Sequence, residues 1–175
     1  MTALKEKEQK NEQAFPQAKK VCFVCTGNTC RSPMAEAVTN ALALGNLPIL
    51  ARDTVPPSVI AVSAGLYAHD GDPISHNAVS ALEQVGIEPT PSRDYHKHTA
   101  KNIDERLVEE CDLLVAMTPS HAMELLLRFP AAAQRITVMP KAVSDPFGGD
   151  LARYAQCLEE ITEGVRCLLF LEDET

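Results

Sequence analysis

The chain has 175 residues, 45% hydrophobic but only 5% aromatic and without Trp, which suits one domain whose core is built from Leu, Val, Ile and Ala. A net charge of -8 with no Lys/Arg-rich run argues against nucleic acid and against an anionic membrane surface as partners. The polar N-terminus does not resemble a signal peptide and no apolar run approaches a membrane span, so the expected location is cytoplasmic.

Residues 1–20 are rich in Lys, Glu and Gln with almost no apolar periodicity, and read as a mobile extension to a single domain over 21–175. Val21 to Val24 is a short apolar run expected as a buried strand. A polar loop follows, and Ser32-Pro33 opens a helix, since Pro is tolerated in a first turn. Met34, Ala37, Val38, Ala41 and Leu42 form its buried stripe, with Gly45 as a stop and 46–57 as a connection. Val59 to Val62 is a second strand, ending in Ser63-Ala64-Gly65. Ile74, Ala78, Ala81, Leu82 and Val85 mark a helix stopped by Gly86. A short helix is expected over 104–109, a strand over Leu113–Met117 and a helix over Pro119–Arg128. Ile136–Met139 is a fourth strand, and a long helix runs over about 150–170 on a stripe of Leu151, Tyr154, Ala155, Leu158, Ile161, Val165, Leu168 and Leu169.

Short apolar strands alternating with amphipathic helices imply an α/β fold, a three-layer α/β/α sandwich on a four-stranded parallel sheet. Ligands of such sheets bind at the carboxyl ends of the strands, which directs attention to the loop after the first one.

That loop reads Cys25-Thr26-Gly27-Asn28-Thr29-Cys30-Arg31-Ser32-Pro33. Five residues between Cys25 and Arg31 make a loop short enough to curl around one tetrahedral anion, with its N–H groups pointing inward and a helix N-terminus behind it. Gly27 and Asn28 are residue types that tolerate the positive φ a tight nest needs. Arg31 offers a planar fork for two phosphate oxygens, and the same positive field suits an anionic Cys25 sulfur, the form that attacks phosphorus. Ser32 can donate its hydroxyl to that sulfur and make it a better leaving group in a second step.

The six cysteines are an even number, but a disulfide set does not suit a chain with no secretion signal. Cys22 and Cys25 match a C-x-x-C spacing with no second pair at zinc-ligand distance, so Cys22 reads as a small strand residue and no metal or cofactor is expected.

The loop, with an apolar strand before it and an amphipathic helix after it, closely resembles the active-site loop of the low-molecular-weight protein tyrosine phosphatase family, Cys-x-Gly-Asn-x-Cys-Arg-Ser-Pro. The resemblance spans about 21–170 and implies hydrolysis of a phosphorylated protein substrate through a phosphocysteine on Cys25, with Arg31 binding phosphate. It implies Asp145, in Asp145-Pro146-Phe147-Gly148-Gly149-Asp150, as general acid, Phe147 as pocket wall, and Ser63 and His98 as supports for Asn28. Cys30 has two readings, a small buried residue or a reversible disulfide partner of Cys25. His69, His76 and His121 read as surface residues, and Cys111, Cys157 and Cys167 as structural.

Tyrosine-specific members usually carry Leu and Ile where this chain has Thr26 and Thr29. Thr at the second position with Asp-Pro-Phe-Gly-Gly resembles the protein-arginine phosphatase branch, and a hydroxyl suits a guanidinium better than a branched aliphatic chain does. A thioredoxin-coupled arsenate reductase shares the Cys-x5-Arg-Ser loop but requires two relay cysteines, for which only Cys111 lies in the expected region.

Overall fold

The structure is a computed structural model, and it describes residues 19–44 and 59–169. The N-terminal extension, Gly45 and the 46–57 connection expected from sequence lie outside the described residues. The elements in chain order are β1 (Lys20–Cys25), α1 (Arg31–Ala43), β2 (Ile60–Gly65), α2 (His76–Gln84), α3 (Glu105–Glu110), β3 (Leu113–Ala116), α4 (Pro119–Arg128), β4 (Ile136–Val138) and α5 (Leu151–Leu169).

All four strands are parallel in the order β2-β1-β3-β4. Alternation along β1 divides its side chains between two cores. Val21, Phe23 and Cys25 join Leu113, Val115 and the buried faces of α1, α2 and α5. Cys22 and Val24 face the other way, with Leu114 and Ala116, onto Val108 of α3 and Ala122 and Leu125 of α4. Both sheet faces are covered by helices, so the expected three-layer sandwich is the observed one, and the central strands are apolar on both sides.

The chain leaves β1 toward β2 on one side and later returns to β3 on the other. The crevice at the carboxyl end of β1 is therefore the point where strand order reverses, and the loop 26–30 occupies it.

Several sequence expectations shift in detail. The first helix begins at Arg31, one residue early, and is buried nearly all round rather than along one stripe, because it packs on β1 and β2 and is covered by α2 and α5. Asn40 shows how a polar residue survives there. Its Nδ2 donates to Ala61 O (3.1 Å) and its Oδ1 accepts from Ala61 N (2.9 Å), which satisfies the edge of β2 that no strand covers. Ser63 to Gly65 belong to β2 rather than ending it, Ile74 precedes α2, and Val85 lies just beyond it, exposed. Short 3-10 turns at Tyr95–Lys97 and Pro130–Arg135 had no periodic signal.

The strand end meets the loop most closely at Gly65. A Cβ built there would lie 2.7 Å from Thr26 O and 3.2 Å from Asn28 Cβ. Gly65→Ala is expected to cost about 1–3 kcal/mol as the loop is forced away. Urea unfolding would register this as a lower midpoint at unchanged slope.

Candidate active site

Three backbone bonds pin the loop to its surroundings. Cys25 O accepts from Leu66 N (2.9 Å), Thr26 O from Tyr67 N (2.9 Å) and Thr29 O from Ser75 N (2.8 Å). Of the two residues expected at positive φ, Asn28 alone adopts it (φ 56°), and Gly27 does not. Asn28 is fully buried. Its Nδ2 donates to Ser32 Oγ (2.9 Å) and Ser63 Oγ (3.0 Å), while its Oδ1 accepts from Lys101 N (3.0 Å). His98 Nε2 donates to its carbonyl (2.8 Å). Ser63 and His98 thus both meet Asn28, from β2 and from the segment after the 3-10 turn. His96, two residues earlier, pairs with Glu83 and Asp94. Behind Ser63 stands Glu36 of α1, which accepts its hydroxyl and whose carboxyl is pushed up by burial.

Cys25 Sγ lies under this arch, 3% of the residue exposed. It accepts the Asn28 backbone N–H at 3.3 Å and lies 2.9 Å from Ser32 Oγ. One lone pair of Ser32 Oγ is already filled by Asn28 Nδ2, and its single proton has two acceptors in reach, the Ala64 carbonyl at 3.4 Å and Cys25 Sγ at 2.9 Å, of which an anionic sulfur is the nearer and the stronger. The helix N-terminus at Cys30-Arg31 has no side-chain cap, so its N–H groups remain available to an anion. The nest needs strain at one residue only, and that residue is the best braced in the loop.

Arg31 is buried along its stem and Nη2 donates to Asp145 Oδ2 at 3.2 Å, an ion pair with one exposed partner. Asp145 Oδ1 accepts Phe147 N (3.1 Å), so the carboxylate bridges the phosphate loop and its own turn. Pro146 is buried, whereas Phe147, expected as a pocket wall, is 77% exposed. Asp150 accepts Arg153 N (3.0 Å) and caps α5.

Cys30 is buried, with Sγ 3.2 Å from Tyr154 OH, and that hydroxyl also accepts from Ser75 Oγ (3.0 Å). Burial pushes the Tyr154 phenol up to about 12. Cys25 and Cys30 are both free thiols. Among the described residues no group of three or more His, Cys, Asp and Glu is arranged to hold a metal ion.

Cys167, read as structural, is exposed, and His121 departs further from its reading. His121, expected at the surface, is buried and bridges Thr26 Oγ1 (Nε2, 2.9 Å) and Thr118 Oγ1 (Nδ1, 3.0 Å). The cue lay in its setting. Thr118-Pro119 caps the helix after β3, and the first turn of a helix following a parallel strand lies at the ligand end of the sheet. His69 and His76 are exposed as expected.

Burial holds His98 below the ordinary imidazole value, with Lys101 acting in the same direction. The folded ring resists protonation more than the unfolded one, so its stabilising share is present above about pH 6.5 and lost as pH falls through the lower folded value. The urea midpoint is expected to drop between pH 7 and pH 5 by less in His98→Gln than in the wild type. An equal drop in both would place the titration elsewhere.

The chain matches the family described as Low molecular weight phosphotyrosine protein phosphatase over residues 20–174. It is 32% identical over 155 residues to a protein-arginine-phosphatase of Bacillus subtilis, covering 85% of this chain and 93% of that one. It is similar to a solved YwlE arginine phosphatase mutant with a phosphorylated active site serine, at 30% identity and TM-score 0.69, covering 85% of this chain and 91% of the other. A low molecular weight protein tyrosine phosphatase from T. tengcongensis superposes with TM-score 0.70 at 34% identity, covering 85% and 95% of the two chains. With the nucleophile loop, the arginine and the parallel sheet already in place, the chain belongs to the low molecular weight phosphotyrosine protein phosphatase family.

Proposed function

We propose that this protein hydrolyses phosphoarginine in protein substrates, with Cys25 as nucleophile, Arg31 as phosphate clamp and Asp145 as general acid and base. The carrying observation is the position of Cys25 Sγ, at the base of an anion-sized loop where the Asn28 N–H and Ser32 hydroxyl converge. An incoming phosphoryl group would displace Asp145 from Arg31, because a guanidinium fork pairs better with two phosphate oxygens than with one exposed carboxylate oxygen. Freed in this way, the exposed Asp145 carboxylate takes up a proton from solvent and faces the leaving group. Cys25 attacks phosphorus in line as the nitrogen–phosphorus bond breaks, and Asp145 delivers its proton to the departing nitrogen. In the second step Asp145 takes a proton from water, which attacks the phosphocysteine and releases the Cys25 thiolate to the Ser32 hydroxyl.

The arginine assignment rests on two loop hydroxyls. Thr29 Oγ1 is 3.6 Å from Cys30 Sγ, a long contact that a substrate N–H can replace, and Thr26 stands exposed next to the nucleophile. Both are polar where an aryl ring would prefer aliphatic walls. The likeness to the Bacillus subtilis protein-arginine-phosphatase supports the same choice. The chain is also 32% identical over 154 residues to an arsenate reductase of Brevibacillus brevis, but its thiols do not suit a relay, since Cys157 is buried, donates to Ser144 O (3.3 Å) and is pushed up to about 12 by burial. We place the activity in the cytoplasm, where a chain with six free thiols keeps them reduced. No described helix is long and apolar enough to cross a membrane.

Cys25→Ser is expected to abolish turnover while leaving inorganic phosphate affinity within about threefold, because the cradle is intact. Full activity in that variant would remove Cys25 from the reaction. Comparing kcat/KM on a phosphoarginine-bearing protein and a phosphotyrosine peptide tests the substrate. A preference of about a hundredfold, roughly 2.7 kcal/mol, is expected for phosphoarginine. Equality or reversal would assign the protein to phosphotyrosine.

A further inference from the structure

His121 is a buried, nitrogen-bearing side chain at the catalytic end of the sheet with no part in the chemistry described above. Its surroundings define what it does. The backbone of Thr26 is already immobile, because its carbonyl takes the Tyr67 N–H at 2.9 Å and lies against the Cα of Gly65, where even a Cβ would come within 2.7 Å. What remains free at Thr26 is the rotation of its own side chain, and the contact with His121 Nε2 at 2.9 Å removes that freedom.

The imidazole is itself fixed. Thr118 caps α4 by accepting the His121 backbone N–H at 3.3 Å, and the same oxygen meets Nδ1 at 3.0 Å. Burial, and then the Arg31 guanidinium, hold the ring below its ordinary value against the opposing charges of Asp145 and Glu124. A neutral ring carries one N–H, so one of its nitrogens donates and the other accepts. The two threonine hydroxyls complete either arrangement, since each can donate or accept.

We propose that His121 is a positioning residue for the reaction, tying the Thr26 hydroxyl to the first turn of α4 so that it faces the leaving group in one orientation. The proposal rests on the phosphatase reading above and adds to it a link between β3–α4 and the residue next to the nucleophile. Thr26 itself would touch the substrate, and His121 would act only through it. A branched side chain with two unlike γ groups presents either a methyl or a hydroxyl to a bound group, and the nitrogen of His121 selects which. The alternative is that His121 merely props the loop, in which case the phosphate cradle and the Thr26 hydroxyl would fail together.

Two substitutions separate these cases while keeping a polar side chain. His121→Gln can extend its amide to the position of Nε2 and reach Thr26. His121→Asn reaches Thr118 and is too short for Thr26. Thermal midpoints are measured for each, and kcat/KM is read on a phosphoarginine-bearing protein and on p-nitrophenyl phosphate, with inorganic phosphate as competitive inhibitor. His121→Asn is expected to lower kcat/KM about tenfold and His121→Gln less than about threefold, with the phosphate inhibition constant unchanged within about twofold in both. Thr26→Val should match His121→Asn, and the double variant should also lose about tenfold rather than a hundredfold, because both changes remove one interaction. Multiplying effects, or a phosphate inhibition constant that rises in step with the loss of kcat/KM, would overturn the proposal. The wild-type arm reports separately on the substrate. If it turns over only the aryl phosphate, the arginine assignment fails, and the cycle on that substrate still decides the role of His121.

Discussion

A single buried asparagine in a left-handed conformation organises this protein's chemistry. For Asn28 to hold φ 56° without exposure to water, the surrounding chain has to supply a partner for its side-chain oxygen, both side-chain protons and its carbonyl. Such a conformation costs on the order of 1–3 kcal/mol when left unsupported. Each well-made buried hydrogen bond returns about 1 kcal/mol, so four of them more than offset the strain. The bracing reaches Glu36 of α1, Ser63 of β2, and His98 and Lys101 after a 3-10 turn. Segments far apart in sequence are thereby joined at one atom group. The reward is geometric: the Asn28 N–H points at the Cys25 sulfur.

The sheet makes this arrangement possible. With strand order β2-β1-β3-β4, the loop after β1 sits where the chain diverges to either side, and the N-termini of α1 and α4 both approach it. Helix N-termini carry partial positive charge and uncommitted N–H groups. A phosphoryl group with two negative charges is therefore met by backbone dipoles and one guanidinium. The buried stem of Arg31 keeps that guanidinium in place, and its pairing with the exposed Asp145 holds the cation satisfied until an anion arrives. The same ion pair keeps Asp145, the proposed general acid, beside the loop.

Burial acts on the groups that support the loop. It raises the Glu36 carboxyl and lowers both His98 and His121, in each case disfavouring the charged form. The positive field at the loop is that of Arg31 and the helix end.

Fold class, strand number and the identity of the loop were legible in the sequence. Runs such as Val21–Val24 and Leu113–Ala116 are apolar on every residue because both sheet faces are covered, and the spacing of Cys25, Asn28, Arg31 and Ser32 is local, confined to one turn of chain. Burial of α1 on nearly all sides was not legible, since a helix rich in Ala, with Thr39 and Asn40 among its residues, shows its enclosure only once α2 and α5 are laid over it. Nor was the choice of Asn28 over Gly27 for the left-handed position. His121 is the clearest case. As a lone histidine in a first helical turn it looks like a surface residue, and only the parallel pairing of β3 with β1 brings it against Thr26, 95 residues earlier in the chain. Local spacing determines which groups can react; contacts between remote segments decide how those groups are held, because no short-range pattern records the distance between two loops that meet across a sheet.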